Sequence, residues 1–457
     1  MTGPGHGWRE EPVNWPQLDW QVGWRVDQPP SLHRTDSHVY NLVTGVAATG
    51  STRDQVRAAV RALITRHEAL RTLLVPGDGP RDVQWVAPAP TSPADLEPLL
   101  EFHPADEGAQ RFRSLRRTDF DLERQWPLKV LVAEDRGAVT EIGVVADHAA
   151  VDGWGIEILR NDLARFLTAA RRGHAPEEAF GATELPMQPR EVARWERSSA
   201  GHAHLERALA VWRDQLSGLR AADVPHVGTP ARAGDPPPTY RSCVMGSTRL
   251  LQAADRGSAA LRVPVSTLFL TALGHALCDV AGAVRVGLQA HFTNRLSPAH
   301  RRSVSTLFLR GPMTVERTPR VNLADAARAL YPIQLRGAIA ANVDRLRVEE
   351  LKQEIYAGTQ ASVLTGAWLN YQDLSATRDG GGPPALLGPL PARPPADDRI
   401  RTEGLKRRGR PFVLKVDRFP DQISLHLLWQ EGVVPADFAE AVLGSLTERV
   451  LNLAPSL

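Results

Sequence analysis

Two short apolar runs in the first half of the chain most constrain its fold. They are Leu128 to Ala133 and Val139 to Val145, and the polar residues 134–137, which end in glycine, separate them. Runs of this length and composition predict two strands of a sheet joined as a hairpin. A helical pattern then resumes from Trp154 toward Ala170. The residues between strand and helix therefore lie at the C-terminal end of a strand, where a rigid element can hold side chains over a cavity.

The rest of the chain also alternates between strand patterns and helix patterns. The run Ser37 to Ala48 predicts a strand, and Ser51 or Thr52 can cap a helix through Arg66. Helical residues 191–219 precede a second series of elements. In that series we expect helices at 265–280, from 323 and at 436–453, with strands at 284–292, 304–315, 363–371, 412–416 and 423–429. The sequence thus predicts an α/β protein of two lobes, 1–185 and 186–457.

Composition excludes several classes of function. Hydrophobic residues make up 42 % of the chain and charged residues 23 %, and the formal net charge is +2, so no strong basic field exists to attract nucleic acid. The only cysteines, Cys243 and Cys278, cannot form a disulfide framework or a thiolate cluster. No signal peptide or membrane-spanning apolar run is evident. We expect a cytoplasmic protein that binds neither nucleic acid nor membrane.

The stretch from Asp147 to Gly155, with the sequence DHAAVDGWG, carries the chemistry. The unperturbed pKa of a histidine is near 6.5, so His148 can accept or position the proton of an attacking amine or hydroxyl group. Asp152 can orient that site or bind a distant arginine, and Gly153 can let the backbone turn where a side chain would collide. A purely structural His/Asp pair is the alternative. A metal site is disfavoured because no third ligand is apparent.

Several motifs resemble those of the condensation domains of nonribosomal peptide synthesis. The segment 147–153 is similar to that family's His-His-x-x-x-Asp-Gly motif, with His148 on the second histidine. Residues 66–72, RHEALRT, resemble the family's Arg-His-Glu-x-Leu-Arg-Thr segment, and Asn370-Tyr371-Gln372 resembles its Asn-Tyr-Gln strand. Trp195 and residues 211–216 resemble its helical tryptophan signatures. The likeness extends from 37 to 453 without an adenylation or carrier module, so we expect a free-standing enzyme.

The resemblance implies a fold and a reaction. Two chloramphenicol-acetyltransferase-like lobes would form a V-shaped pseudo-dimer with a central tunnel, and the protein would be a monomer. An acyl or peptidyl carrier protein would deliver the donor thioester on its phosphopantetheine arm, with no cofactor bound to the chain itself. His148 would then act on a small-molecule or carrier-bound nucleophile, forming an amide or an ester.

The resemblance also implies roles for individual residues. Asp147, His148, Asp152 and Gly153 are the predicted catalytic set, and Asp152 is expected to pair with Arg295 across the lobes. Arg71 is expected to brace its lobe. The candidates for lining the tunnel are Trp154, Ser305, Asn370 and Gln372.

Three positions depart from the family pattern. Asp147 stands at the first histidine, Ser305 at an asparagine and Phe308 at a proline of a later segment. Asp147 with Asp152 matches the Asp-x-x-x-x-Asp motif of the heterocyclisation branch, which is one alternative; Asp147 can instead fix the tautomer of His148 or accept a bond at the strand end. Epimerisation is a second alternative, and an inactive module that recruits carrier proteins or tailoring enzymes is a third.

Overall fold

A computed structural model describes residues 7–25, 41–77, 82–181, 184–219, 239–317, 321–356, 366–375, 385–387, 393–406 and 411–453. Its helices are α1 Trp15–Arg25, α2 Arg53–Arg66, α3 Ala105–Leu115, α4 Gly153–Arg171, α5 Pro189–Glu196, α6 Ser199–Ser217, α7 Thr248–Leu261, α8 Val265–Ala281, α9 Pro298–Arg301, α10 Leu323–Ala340, α11 Arg345–Ile355 and α12 Ala436–Leu451. Its strands are β1 Arg9–Pro12, β2 Leu42–Ser51, β3 Thr72–Val75, β4 Val83–Val86, β5 Leu100–Pro104, β6 Leu128–Asp135, β7 Ala138–Ala146, β8 Tyr240–Ser247, β9 Arg285–Phe292, β10 Leu309–Glu316, β11 Ala367–Asp373, β12 Arg401–Lys406, β13 Phe412–Arg418 and β14 Ile423–Gln430.

The chain divides into two compact units. The first comprises Met1–His202, Thr293–Phe308 and Gly381–Pro391, and the second comprises the remaining residues. This division differs from the predicted boundary at 185, because the chain beyond that point stays attached to the N-terminal residues. The Glu196 carboxylate at the end of α5 accepts the backbone N–H of Trp15 at 2.9 Å, and Asn14 Nδ2 donates to the carbonyl of Pro189.

The first unit is built on a four-stranded sheet in the order β2-β7-β6-β5. The predicted hairpin is present as β6 and β7, and Arg136 and Gly137 adopt positive φ angles of 49° and 80° in its turn. Thr52 caps α2 as predicted, with Gln55 completing a capping box. Apolar faces of α2 and α4 join β2, β6 and β7 in one buried core. A smaller sheet, β1-β4-β3, completes the strands of this unit.

The second unit contains a seven-stranded sheet in the order β10-β9-β11-β13-β14-β8-β12. Strand β11 runs parallel to β9 and β13, and the other described pairs are antiparallel. Helices α7, α8 and α12 contribute to a buried core together with alternate residues of β13 and β14. That alternation places the apolar residues of each strand on one face, as a half-covered sheet requires.

Two predicted elements differ from the structure. The helical stretch 191–219 is two helices, α5 and α6, interrupted at Arg197 and Ser198. The strand expected over 304–315 begins only at Leu309. The side chains of Asp152 and Arg295 bond the backbone of the preceding residues, in place of the hydrogen bonds of a strand. In the described residues no single helix can span a membrane, although α7 and α8 pass that test together as a bent pair.

Candidate active site

The strand β7 ends in a tight turn that carries the candidate site. Ala146, its last residue, lies between Leu42 of β2 and Leu128 of β6. The backbone N–H of Asp147 donates to the carbonyl of Pro127, and the carbonyl of Asp147 accepts from Ala150 and Val151. The first residue of the turn is therefore anchored to the residue that precedes β6.

Asp147 closes this turn with its side chain. Its Oδ1 accepts the backbone N–H of Ala149 at 2.7 Å, and the residue is only 5 % exposed. Burial raises the pKa of Asp147 to about 6; the Ala149 bond opposes this rise and the negative charge of Asp119 adds to it. Of the two local roles predicted for Asp147, the structure shows the bond at the strand end and no bond to the His148 ring.

Asp152 is the N-cap of α4 and is almost completely buried. Its Oδ1 accepts the backbone N–H of Gly155 at 2.8 Å, and its Oδ2 accepts that of Leu307 at 3.0 Å. Arg295 adds two bonds, from Nη2 to Oδ1 at 2.9 Å and from Nη1 to Oδ2 at 3.1 Å. With both oxygens engaged in this way, Asp152 acts as a positioning group for the turn.

The predicted ion pair between Asp152 and Arg295 is present, but it does not join the two units. Arg295 belongs to the segment 293–308, which is part of the first unit. Its Nη2 also donates to the carbonyls of Ser303 and Ser305, at 3.1 and 3.2 Å. The guanidinium group therefore fixes this segment against the N-terminus of α4, and this is why β10 begins later than predicted.

His148 lies between the two aspartates in sequence and is partly buried. Its Nδ1 is buried and has no hydrogen-bond partner in the described part of the chain. Burial holds the pKa of His148 below its usual range, opposed by the backbone carbonyl groups of His148 and Val151 and by the charge of Asp152. The imidazole is consequently neutral at neutral pH and able to accept a proton. No group of three or more potential metal ligands occurs among the described residues.

The two glycines that follow differ in their surroundings. Gly153 is exposed, and a Cβ atom there would meet no atom within 4 Å, so the collision expected at this position is absent. At Gly155 a Cβ atom would lie 3.2 Å from Cγ1 of Val151 and 3.3 Å from the backbone nitrogen of Ser305. Gly155 is therefore the glycine that the packing of the turn requires.

Trp154 and Ser305 have well-defined places in the first unit. The Trp154 side chain is 48 % exposed, and its Nε1 donates to the carbonyl of Arg301 at 3.1 Å. Ser305 is 2 % exposed and lines a small cavity together with Gln17 and Ala149. Their roles as tunnel-lining residues stay predictions.

Arg71 braces the scaffold, as its position in the RHEALRT segment suggested. Its guanidinium group is buried, donates to the carbonyls of Ile64 and Ala87, and lies 3.6 Å from Glu68. Burial lowers the pKa of Arg71, and the charge of Glu68 opposes this. In the same segment His67 Nε2 donates a 2.8 Å hydrogen bond to the carboxylate of Asp162 of α4.

Asn370 and Gln372 lie on β11 in the second unit. They are two residues apart and so point to the same face, whereas Tyr371 between them packs against the core. Their register partners on β13 are Lys415 and Asp417, whose side chains form a 2.9 Å ion pair. Their contact with a substrate stays a prediction.

The family model for the Condensation domain matches residues 31–315. The chain belongs to the condensation-domain family. Its relatives are nonribosomal peptide synthetases of secondary metabolism. Cyclosporin synthetase of Tolypocladium inflatum is 34 % identical over 170 residues, 36 % of this chain and 1 % of that protein. Phosphinothricin tripeptide synthetase of Streptomyces viridochromogenes is 32 % identical over 170 residues, 36 % of this chain and 15 % of that protein. The condensation-domain chain thus spans a small part of the length of these relatives.

Solved structures confirm the chloramphenicol-acetyltransferase-like α/β fold. The SgcC5 protein from Streptomyces globisporus superposes with a TM-score of 0.68 at 17 % identity, over 97 % of this chain and 98 % of that one. The epimerization domain of the third module of tyrocidine synthetase B gives 0.67 at 14 % identity, over 99 % of both chains. At these identities the likeness establishes the fold alone. The V shape and the tunnel stay predictions.

Two residues at the site were not found by reasoning from the sequence. Trp20 on α1 packs against the His148 ring, and Thr306 donates its hydroxyl hydrogen to the His148 carbonyl. Trp20 stands in no pattern that marks a site. Thr306 lies in the segment 304–310, which resembles the family's Val-Asn-Thr-Leu-Pro-Leu-Arg, but that likeness does not indicate a contact with His148. Gly155, in contrast, lies within the motif itself, and its spacing of three from Asp152 is the signal of an N-cap.

Proposed function

We propose that this condensation-domain protein transfers an acyl or aminoacyl group from a carrier-protein thioester to an amine, forming an amide. A hydroxyl acceptor would give an ester. The observation that carries the proposal is the placement of His148 on a turn that β7, Asp152 and Arg295 fix in place, where burial holds the pKa of the imidazole below its usual range. A neutral imidazole held in this way is suited to accept the proton of an attacking nucleophile.

The proposed reaction needs no covalent intermediate on the enzyme. The amine nitrogen attacks the thioester carbonyl, the carbon–nitrogen bond forms and the carbon–sulfur bond breaks. His148 takes the proton from the amine and returns it to the departing thiolate. The phosphopantetheine arm arrives with the carrier protein and is part of the donor substrate. Much of the rate would come from holding donor and acceptor together.

Heterocyclisation and epimerisation are competing activities of the same superfamily. A cyclisation that used Asp147 and Asp152 would need their carboxylates at the substrate. Asp152 instead accepts four hydrogen bonds from the protein, and Asp147 is buried and bonded to Ala149. These contacts favour simple condensation. The likeness to an epimerization domain concerns the fold alone.

The decisive experiment is intact-protein mass spectrometry of acyl transfer. Acyl-loaded and aminoacyl-loaded carrier proteins are mixed with amine and hydroxyl acceptors; 1,2-diols are included because the SgcC5 structure is a complex with one. We expect wild-type protein to form product and His148→Ala to lose about 100-fold or more of the rate. His174→Ala is the matched control, because the side chain of His174 is 64 % exposed.

Each outcome separates the alternatives. Transfer that is unaffected in His148→Ala would refute the role of the histidine, and ring-closed products lost in Asp147→Asn would favour heterocyclisation. Exchange of the α-hydrogen of a bound aminoacyl group would favour epimerisation. If wild type and all variants bind the carrier proteins but transfer no acyl group, the recruitment module is favoured.

A further inference from the structure

The imidazole of His148 lies against two aromatic rings. The ring centroids of Trp20 and His148 are 4.8 Å apart, and their planes are tilted by 35°. The ring centroid of Phe308 is 5.3 Å from that of His148, with a tilt of 50°. Both separations are those of packed aromatic pairs. All three residues belong to the first unit.

The two carboxylates near His148 in sequence are engaged by other groups. A histidine base is commonly oriented by a hydrogen bond at its second ring nitrogen, often to a carboxylate. Here Asp147 bonds the backbone of Ala149, and Asp152 bonds Gly155, Leu307 and Arg295. In the described residues no hydrogen bond reaches the buried Nδ1 of His148. The backbone carbonyl groups of His148 and Val151 are the polar groups that act on the ring, and packing against Trp20 and Phe308 keeps the imidazole turned toward them.

We propose that Trp20 and Phe308 are positioning residues that hold the imidazole of His148 in its working orientation by ring packing. Two rings in contact with the imidazole restrict its rotation about the Cβ–Cγ bond and keep water from its faces. This role gives a physical meaning to Phe308, which stands where the resembled segment has proline. The role in catalysis rests on the proposed function; the packing itself does not.

The first measurement is independent of turnover. Protein labelled with ¹⁵N-histidine contains 14 histidines, and His148 is assigned by comparison with His148→Gln. The ring ¹⁵N shifts report the tautomer, and their change with pH reports the pKa of His148. Asp152 is the charged group that influences this pKa. We compare wild type with Trp20→Leu, Phe308→Leu and the conservative Trp20→Phe. Trp85→Leu is the control, because Trp85 is also partly buried in this unit.

We expect wild type, Trp20→Phe and Trp85→Leu to share one dominant His148 tautomer and a pKa below that of free histidine. Trp20→Leu and Phe308→Leu should shift the ring signals toward an average of both tautomers and move the pKa toward 6.5. Unchanged His148 signals in both leucine variants would overturn the proposal. Because Trp20 and Phe308 lie on separate elements, the test remains valid if one of the two variants misfolds.

The second measurement uses the acyl-transfer assay. The leucine variants should lose about 10-fold or more in kcat with KM within about twofold, and Trp20→Phe should recover most of the rate. An equal kcat loss in Trp85→Leu would show a general structural effect and contradict the proposal. If no protein transfers an acyl group, the proposed function fails, while the ring signals still decide the packing role.

Discussion

At the scale of single residues, the protein keeps a carboxyl group where water hardly reaches. Asp147 accepts one backbone bond and pairs with no cation in the described residues. Its pKa of about 6 therefore lies about two units above that of an exposed aspartate. Such a group binds a proton more tightly in the folded state than in the unfolded chain. Its ionisation opposes folding as the pH rises.

Asp147→Asn should remove the destabilisation that ionisation of Asp147 causes. The amide keeps the oxygen that accepts from Ala149 but has no charge. Because the folded pKa is raised, the wild-type carboxyl stabilises the fold below about pH 4, and this contribution is lost as the pH rises through 6. Relative to wild type, the variant should gain about 2–3 kcal/mol in free energy of unfolding between pH 4 and pH 7.5.

Urea unfolding at several pH values measures this difference. Asp54→Asn serves as the control, because the side chain of Asp54 is 92 % exposed. Parallel stability curves for wild type and Asp147→Asn would show that the Asp147 carboxyl is hydrated or paired in the folded protein.

At the scale of elements, the N-terminus of α4 is where the motif acts as a unit. Asp152 caps the helix, and the cap also holds Leu307 and Arg295 of the segment 293–308. Gly155 permits the close approach of that segment to the first helical turn. The residues from Asp152 to Gly155 thus fix the turn that carries His148, and any chemistry at His148 depends on this turn.

The two glycines of this turn should respond oppositely to a methyl group. Gly155→Ala should cost about 1–3 kcal/mol, because its Cβ would press on Val151, Asp152 and Ser305 at 3.2–3.3 Å. Gly153→Ala has open space and better helix propensity, so its stability should stay within about 0.5 kcal/mol of wild type or rise. Urea unfolding of both variants checks this; equal losses would contradict the packing argument.

The elements that the sequence predicted are those with local causes. Thr52 with Gln55 marks the start of α2, and residues 134–137 mark the hairpin of β6 and β7. The strand limit at Leu309 could not be predicted, because contacts of residues 303–307 with Asp152 and Arg295 override a strand-like composition. The polar strand β1 carries no alternating pattern, since its four residues are exposed or half-buried.

At the scale of the molecule, the first unit is discontinuous in sequence. The ion pair of Asp152 with Arg295 could be predicted from two motifs, but the membership of Arg295 in the first unit could not. A division at 185 assumes that each lobe is one continuous stretch. The segments 293–308 and 381–391 break that assumption through contacts with residues that lie 140 or more positions earlier.

Leu386 shows how such a segment closes the unit. Its side chain is buried with Phe112 of α3, and its backbone N–H donates to Glu141 of β7 at 2.7 Å. A Cβ atom on Gly143 would lie 2.9 Å from Leu386 Cδ2 and 2.5 Å from Phe112 Cε2, so the strand surface is shaped to receive both side chains. A residue late in the chain thus completes a core of the first unit.

Leu386→Ala should therefore destabilise the first unit by about 2–5 kcal/mol, the usual cost of emptying a buried leucine site. Hydrogen exchange read by mass spectrometry should show faster exchange in α3, β6 and β7, with the sheet of the second unit unchanged. Leu335→Ala, at a residue 48 % exposed on α10, should leave both units as in wild type. Equal exchange in the two variants would mean that the segment around Leu386 lies on the unit without supporting it.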